Sequence, residues 1–140
     1  MTVPYDERFL TPMRAELTRL GVRELKTTSE VDAALKDARG TTLVVVNSIC
    51  GCAARNARPA VTLALASGKR PHALTTVFAG QDLEATARAR GYLAPFPPSS
   101  PSIALLKDGA VAFMLERKDI EGRDAAAIAR DLTEAFERFC

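Results

Sequence analysis

Residues 41–47 read TTLVVVN, a continuous apolar, β-branched run without polar alternation. Such a run predicts a strand buried on both faces. LTTVFA (74–79) predicts a second strand. SIALLK (102–107) and AVAFML (110–115) predict two more, joined by Asp108 and Gly109, a strong hairpin signal. The remaining apolar positions recur with helical spacing. Tyr5, Phe9, Met13, Leu17 and Leu20 define a first helix stopped at Gly21, and Pro12 inside it predicts a start or kink there with Thr11 as cap. SEVDAALKDARG (29–40) predicts a helix capped by Ser29 and ended by Gly40. Residues 52–67 predict a helix closed by Gly68 and kinked at Pro59. QDLEATARARG (81–91) predicts another, with Asp82 as N-cap and Gly91 as stop. A last helix over 124–138 places Ile128, Leu132, Ala135, Phe136 and Phe139 on one face.

From residue 41 onward the order is β-α-β-α-β-β-α. Right-handed crossovers make the first two strands parallel, and the last two form an antiparallel hairpin at one edge. That is the element order of an α/β, thioredoxin-like fold, a central mixed sheet flanked by helices, here with two additional N-terminal helices. No repeat or flexible linker interrupts the chain. It reads as a single domain over 1–140, with a helical extension (1–40) and a core (41–140).

Composition narrows the functional classes. The 140 residues are 47 % hydrophobic, enough to build a core, and 19 basic against 17 acidic residues leave a net charge of +2. That near-balance, with no tryptophan and few aromatics, argues against a nucleic-acid or anionic-membrane partner. The opening MTVPYDERFL is charged and broken by Pro4, and no later stretch is long enough to span a bilayer, so a cytoplasmic protein is expected. Thiols there are normally kept reduced, which favours catalytic or metal-binding cysteines over structural ones.

The cysteines are Cys50, Cys52 and Cys140. The first two fall where the buried strand gives way to a helix, the carboxyl end of a sheet at which α/β folds place their sites. Free backbone N–H groups and the positive helix end stabilise an anion there, so the nucleophilic thiolate of Cys50 is favoured at neutral pH. A pair separated only by Gly51 closes a small, strained and easily reduced disulfide ring, and glycine supplies the freedom to approach that closure. The pair therefore reads as one that exchanges disulfides: Cys50 attacks, and Cys52, further into the helix and more buried, resolves. The blander readings are two inert thiols or half of a metal site. A structural zinc site wants four ligands, and the only histidine, His72, reads as a surface loop residue. No metal ligand set is assigned, and a Cys/His hydrolase is disfavoured for the same reason.

Pro101 opens a strand after the proline-rich loop APFPPSSP (94–101). In the thioredoxin-like order that position faces the cysteines and carries a cis peptide. The Ser100–Pro101 bond is expected to be cis, shaping the groove for a substrate disulfide and keeping metal ions off the thiols, although trans is the common state of any X–Pro bond. Arg55 and Arg58 follow the motif; they stabilise a thiolate or contact an anionic thiol, or they form an ordinary solvated face. Asn47 and Ser48 either hydrogen-bond the motif's backbone or simply make the turn. Cys140 is a spare thiol, or a second resolving cysteine if the final helix ends near the site.

In LVVVNSICGCAARNARP (43–59), TVFAGQD (76–82) and PSSPSIALLKDG (98–109) the chain closely resembles the bacilliredoxins, thioredoxin-like proteins with a CGC motif from bacteria that use bacillithiol. PMRAEL (12–17), GTTLVVVNS (40–48), EGRD (121–124) and the terminal Cys140 fit as well. The resemblance implies a thiol-disulfide oxidoreductase with disulfide-isomerase activity that removes bacillithiol from oxidised, S-thiolated cytoplasmic proteins. It implies Cys50 as the attacking thiol, Cys52 as the resolving one, Gly51 as spacer and Pro101 as the cis proline. No bound cofactor is implied; bacillithiol is a thiol co-substrate. Two rival functions stay open: a general protein disulfide isomerase or reductase, and a soft-metal module in which the CxC carries copper. An inert thioredoxin-like scaffold is a third.

Overall fold

The computed structural model of the protein describes residues 6–66 and 68–140. Pro4, Tyr5 and Ser67, each part of a reading above, lie outside them. The elements run α1 (Glu7–Thr18), β1 (Arg23–Glu24), α2 (Thr28–Leu35), β2 (Thr41–Asn47), a π-helical turn (Ala53–Ala57) leading into α3 (Arg58–Leu65), β3 (Ala73–Phe78), α4 (Leu83–Tyr92), β4 (Ser102–Lys107), β5 (Ala110–Leu115), α5 (Arg117–Ile120) and α6 (Ala125–Phe139).

One mixed sheet has the order β1-β3-β2-β4-β5. β2 and β3 are parallel, from Thr42 opposite Ala73 to Asn47 opposite Phe78. β4 lies antiparallel to β2, and β5 antiparallel to β4 at the edge. The expected mixed sheet flanked by helices is thus present. The hairpin turns at Asp108 (φ 50°) and Gly109 (φ 85°), two left-handed residues in succession, which is why that dipeptide suits the tight turn. Gly40, whose own φ is 74°, exchanges hydrogen bonds with Asp108 and so anchors the turn to the start of β2.

Every residue of β2 is buried, because helices cover both sheet faces. Period-two alternation divides its side chains. Leu43 and Val45 join Leu17, Val61, Ile128, Leu132 and Phe136 on one face. Val44 and Val46 join Val31, Leu35, Ala85 and Ala89 on the other. α3 and α6 thus cover one side, and α2 and α4 the other.

The N-terminal region departs from expectation in three ways. It contributes a strand, β1, which pairs in parallel with β3 through Arg23–Thr75 and Glu24–Thr76. α1 starts at Glu7, capped by the Asp6 carboxylate accepting from the Arg8 N–H, and Pro12 lies inside it in place of a start capped by Thr11. Pro12 sits on the exposed side, where water can substitute for the donor it lacks. The buried face of α1 is Leu10, Arg14 and Leu17, and Phe9 is 51 % exposed. Arg14 earns its burial through carboxylates from three elements: Glu7, Glu24 and Asp82. Its guanidinium also stacks over the Phe78 ring at 5.0 Å.

Three helices also differ at their ends. The Thr27 hydroxyl, not that of Ser29, accepts the Glu30 N–H to cap α2, and the helix ends at Leu35, before a left-handed Asp37 (φ 57°). α4 continues through Gly91 to Tyr92, and Asp82 flanks its start without a capping bond because its carboxylate is engaged by Arg14. The third helical run ends at Leu65, with Gly68 beyond it at φ 71°. Pro59 is absorbed by widening the helix in front of it: the Arg58 N–H bonds the Ala53 carbonyl five residues back.

Candidate functional site

The site is built from the carboxyl end of β2 outward. Asn47 is its last residue, and Ser48 follows; they are 2 % and 7 % exposed. Two such polar residues need internal partners, and Arg58 supplies them. Its Nη1 donates to Asn47 Oδ1 at 2.9 Å and to the Ser48 carbonyl at 2.8 Å, and its Nε donates to Glu16 Oε2 of α1 at 3.0 Å. Asn47 Oδ1 also accepts the Ser48 N–H at 2.8 Å. Arg58 is therefore no member of a solvated face: it is 1 % exposed and holds the loop beneath the cysteines. Asn47 and Ser48 make the turn, and Ser48 also bonds the motif's backbone.

The Cys50 N–H donates to Ser48 Oγ at 3.1 Å. Its carbonyl accepts from the N–H groups of Ala53 and Ala54, both at 3.1 Å, so Cys50 begins the helical run. Gly51 and Cys52 form its first turn. Both thiols are free and half-buried; Cys52 falls in the same burial range as Cys50, because the helix opens to a cleft on its side. Partial burial pushes the Cys50 thiol up. The Ser48 hydroxyl, the N–H groups of Ala53 and Cys52 and the Arg117 charge outweigh it, and hold the thiol below its ordinary value.

Gly51 has no left-handed backbone in this form. A Cβ there would meet Arg55 Nη2 at 3.0 Å, so the guanidinium of Arg55 lies over the glycine. Gly51, Cys52, Arg55, Asn56 and Gly122 line a cleft of about 420 Å³. The Asn56 amide donates to the Arg123 carbonyl and ties the π-helical turn to the segment before α6.

Ser100 and Pro101 close the other approach. Their bond is cis, and so, unanticipated, is Ala94–Pro95. Pro101 is buried at the start of β4, next to β2.

Arg117 is the side chain at this candidate site that sequence reasoning missed. It opens α5, just past the end of β5. Its Nη2 lies 3.9 Å from Cys52 Sγ, its Nη1 donates to the Ser100 carbonyl at 3.3 Å and its Nε pairs with Glu121 at 2.9 Å. One cation thus joins the second cysteine to the cis-proline loop. The signal was in the hairpin register: Ile103 stands opposite Leu115, so residues just beyond 115 return beside 100–101. A capping box between Glu116 and Asp119 starts the short helix that presents it.

Cys140 is elsewhere. α6 runs away from the cysteine motif, and its end lines a cavity of about 490 Å³ with Thr41, His72 and Lys107, at the opposite end of β2 from Asn47. Six steps of a strand at ~3.3 Å each separate those ends by about 20 Å. The condition for Cys140 to act as a resolving thiol within the chain is not met. His72 is exposed at that same far end. Among the described residues no three His, Cys, Asp or Glu side chains are grouped as metal ligands would be, and no helix is long and apolar enough to cross a membrane.

Comparison with known proteins bears on the family and the fold. The family model described as Disulphide isomerase matches residues 5–140. A bacilliredoxin of Salinibacter ruber is 59 % identical over 140 residues, covering 99 % of this chain and 82 % of the relative. One of Koribacter versatilis is 51 % identical over 136 residues, covering 97 % and 94 %. One of Bacillus licheniformis is 49 % identical over 144 residues and covers both chains in full. Thioredoxin O2 of Arabidopsis thaliana, in its oxidised state, superposes with a TM-score of 0.54 at 17 % identity, over 84 % of this chain and 96 % of that one, a likeness of fold. A thioredoxin-like sheet ending in two free thiols, with this kinship along the whole chain, places the protein in the bacilliredoxin family, and it is a thiol-disulfide oxidoreductase.

Proposed function

We propose that the protein removes a low-molecular-weight thiol from mixed disulfides on oxidised proteins, with bacillithiol as that thiol by kinship to the relatives named bacilliredoxins. The observation that carries the reading is the seating of Cys50: half-exposed at the first turn of a helical run, with Ser48 and two backbone N–H groups around its sulfur and the Arg117 charge nearby.

The cycle is written in sulfur bonds. The Cys50 thiolate attacks the small-thiol sulfur of the mixed disulfide. A Cys50–small thiol disulfide forms, the client–small thiol bond breaks, and the client leaves as a thiolate that takes a proton from water. The Cys52 thiolate then attacks Cys50, forming the Cys50–Cys52 disulfide and releasing the small thiol. Two molecules of a free thiol, joined to each other as a disulfide through a mixed disulfide with the pair, supply the two electrons and two protons that restore both cysteines. Arg117 Nη2 lies 3.9 Å from Cys52 Sγ and joins that cysteine to the cis-proline loop. Asn47 and Arg58 act through Ser48 and are positioning residues. Arg55 covers Gly51, and Pro101 with Ser100 borders the approach.

The test is single-turnover release of a fluorescent thiol from a peptide mixed disulfide. Wild type releases it, Cys50→Ser does not, and Cys52→Ser releases it once and remains thiolated, as mass spectrometry of the chain would show. Release by Cys50→Ser at the wild-type rate overturns the role of Cys50. A general disulfide reductase is the second reading, favoured by the description of the matching family as disulphide isomerases. It predicts turnover of protein disulfides that is lost with Cys52→Ser, and no faster reaction with a small-thiol adduct.

A further inference from the structure

We infer that the cleft beside Cys52 is a binding subsite for a carboxylate carried by the small thiol, and that Arg55 reads it. The inference rests on the thiol-removal reading above and names the substrate chemistry of that same site.

Three observations converge. The first is shape. The cleft lined by Gly51, Cys52, Arg55, Asn56 and Gly122 encloses about 420 Å³. That falls in the range of small-molecule sites, ~300–1,000 Å³, and is too small for a folded client. Cys52 lines it, so a group attached to Cys50 and expelled by Cys52 leaves beside this open cleft.

The second is charge. The arginines at the heart of this end of the molecule are already committed. Arg58 is held by Asn47, Ser48 and Glu16, and Arg123 by Asp131. Arg117 spans Glu121 and the Ser100 carbonyl. Arg55 is exposed and forms no hydrogen bond or ion pair with another described residue. No carboxylate lines the cleft to neutralise it. A guanidinium in that state presents a planar fork of donors that fits a carboxylate in two parallel hydrogen bonds.

The third is the glycine. Gly51 needs no special backbone conformation here, yet the space its missing Cβ leaves is where the Arg55 guanidinium lies, 3.0 Å from that position. Glycine therefore lets the exposed Arg55 side chain fold back over the motif. Arg117, paired with Glu121, brings a second guanidinium to within 3.9 Å of Cys52 Sγ.

The test uses one client peptide carrying either of two small thiols, 3-mercaptopropionate or the neutral 2-mercaptoethanol, so that charges on the client cancel. The bond formed and the bond broken are those of the first step above for both. Wild type is expected to show about fivefold higher kcat/KM for the carboxylate-bearing adduct, the factor equivalent to an exposed ion pair near the upper end of its usual strength. The preference ratio should fall to about one in Arg55→Gln and persist in Arg55→Lys, and in wild type it should shrink as salt is raised. Turnover of both adducts at equal rates, or a preference unchanged in Arg55→Gln, overturns the subsite and leaves the oxidoreductase reading standing. Turnover of neither adduct removes the thiol-removal reading, and the subsite with it.

Discussion

Arg58→Met tests the coupling between the interior and the reactive loop. Methionine keeps much of the buried volume but donates nothing, so it isolates the hydrogen bonds from the packing. The loss can be worked through partner by partner. Glu16 is 37 % exposed and water can take over there, so its share is at most ~1 kcal/mol. Asn47 Oδ1 keeps the Ser48 N–H and is only partly deprived. The Ser48 carbonyl loses its Arg58 donor in a residue 7 % exposed, and a buried group left unsatisfied costs about 1–3 kcal/mol. Relief from burying a cation offsets part of the total. We expect a net destabilisation of about 2 kcal/mol, read as a fall of about 1 M in the urea midpoint if the slope is ~2 kcal/mol/M. The same variant should raise the Cys50 thiolate transition, followed by absorbance at 240 nm, because Ser48 is no longer pinned beneath it. A midpoint within ~0.2 M of wild type, together with an unmoved thiolate transition, would refute the coupling; at that slope it corresponds to less than about 0.5 kcal/mol.

Other outcomes follow from the same geometry. Ser48→Ala should shift the Cys50 transition upward by more than Arg117→Met does, since the hydroxyl outranks the guanidinium among the influences that lower it; absorbance titration of both variants decides the order. Asp32, held by Arg88 and Tyr92, titrates at about 2, well below an unconstrained aspartate. Its contribution to stability is therefore present above its unfolded value near 4 and lost as pH falls toward 2, and Asp32→Asn should flatten the acid limb of thermal stability between those values. Cys140→Ser should leave release of the small thiol unchanged, whereas a slower resolution step would show that the far thiol reaches the site.

What the sequence disclosed depended on how local the determinants were. β2 was legible because burial on both faces forces a run of one residue type. The Asp108–Gly109 turn was legible because two successive left-handed residues restrict the choice of amino acid. The placement of Cys50 and Cys52 at a strand-to-helix junction followed from that strand and from the helical pattern over 52–67. The arginines were another matter. Arg14, Arg58 and Arg117 look on paper like solvated charges, and their surroundings come from partners up to 68 residues distant, such as Asp82 for Arg14. β1, two residues long, owes its existence to the free edge of β3 and has no pattern of its own. Pro59 announced a disturbance, but whether a kink or a widened turn would absorb it depended on the packing of the helix, where Ala57 and Ala60 enter the core.

That widened turn acts as an angular offset. A π segment holds one residue more than the regular helix around it, and one residue of α-helix corresponds to about 100° of rotation. The first turn of the run, with Gly51 and Cys52, is therefore dialled round relative to α3. Removing a single residue from the segment would leave an unbroken helix of ordinary pitch whose second sulfur no longer faces Arg117, a protein intact in outline and misaimed at one atom.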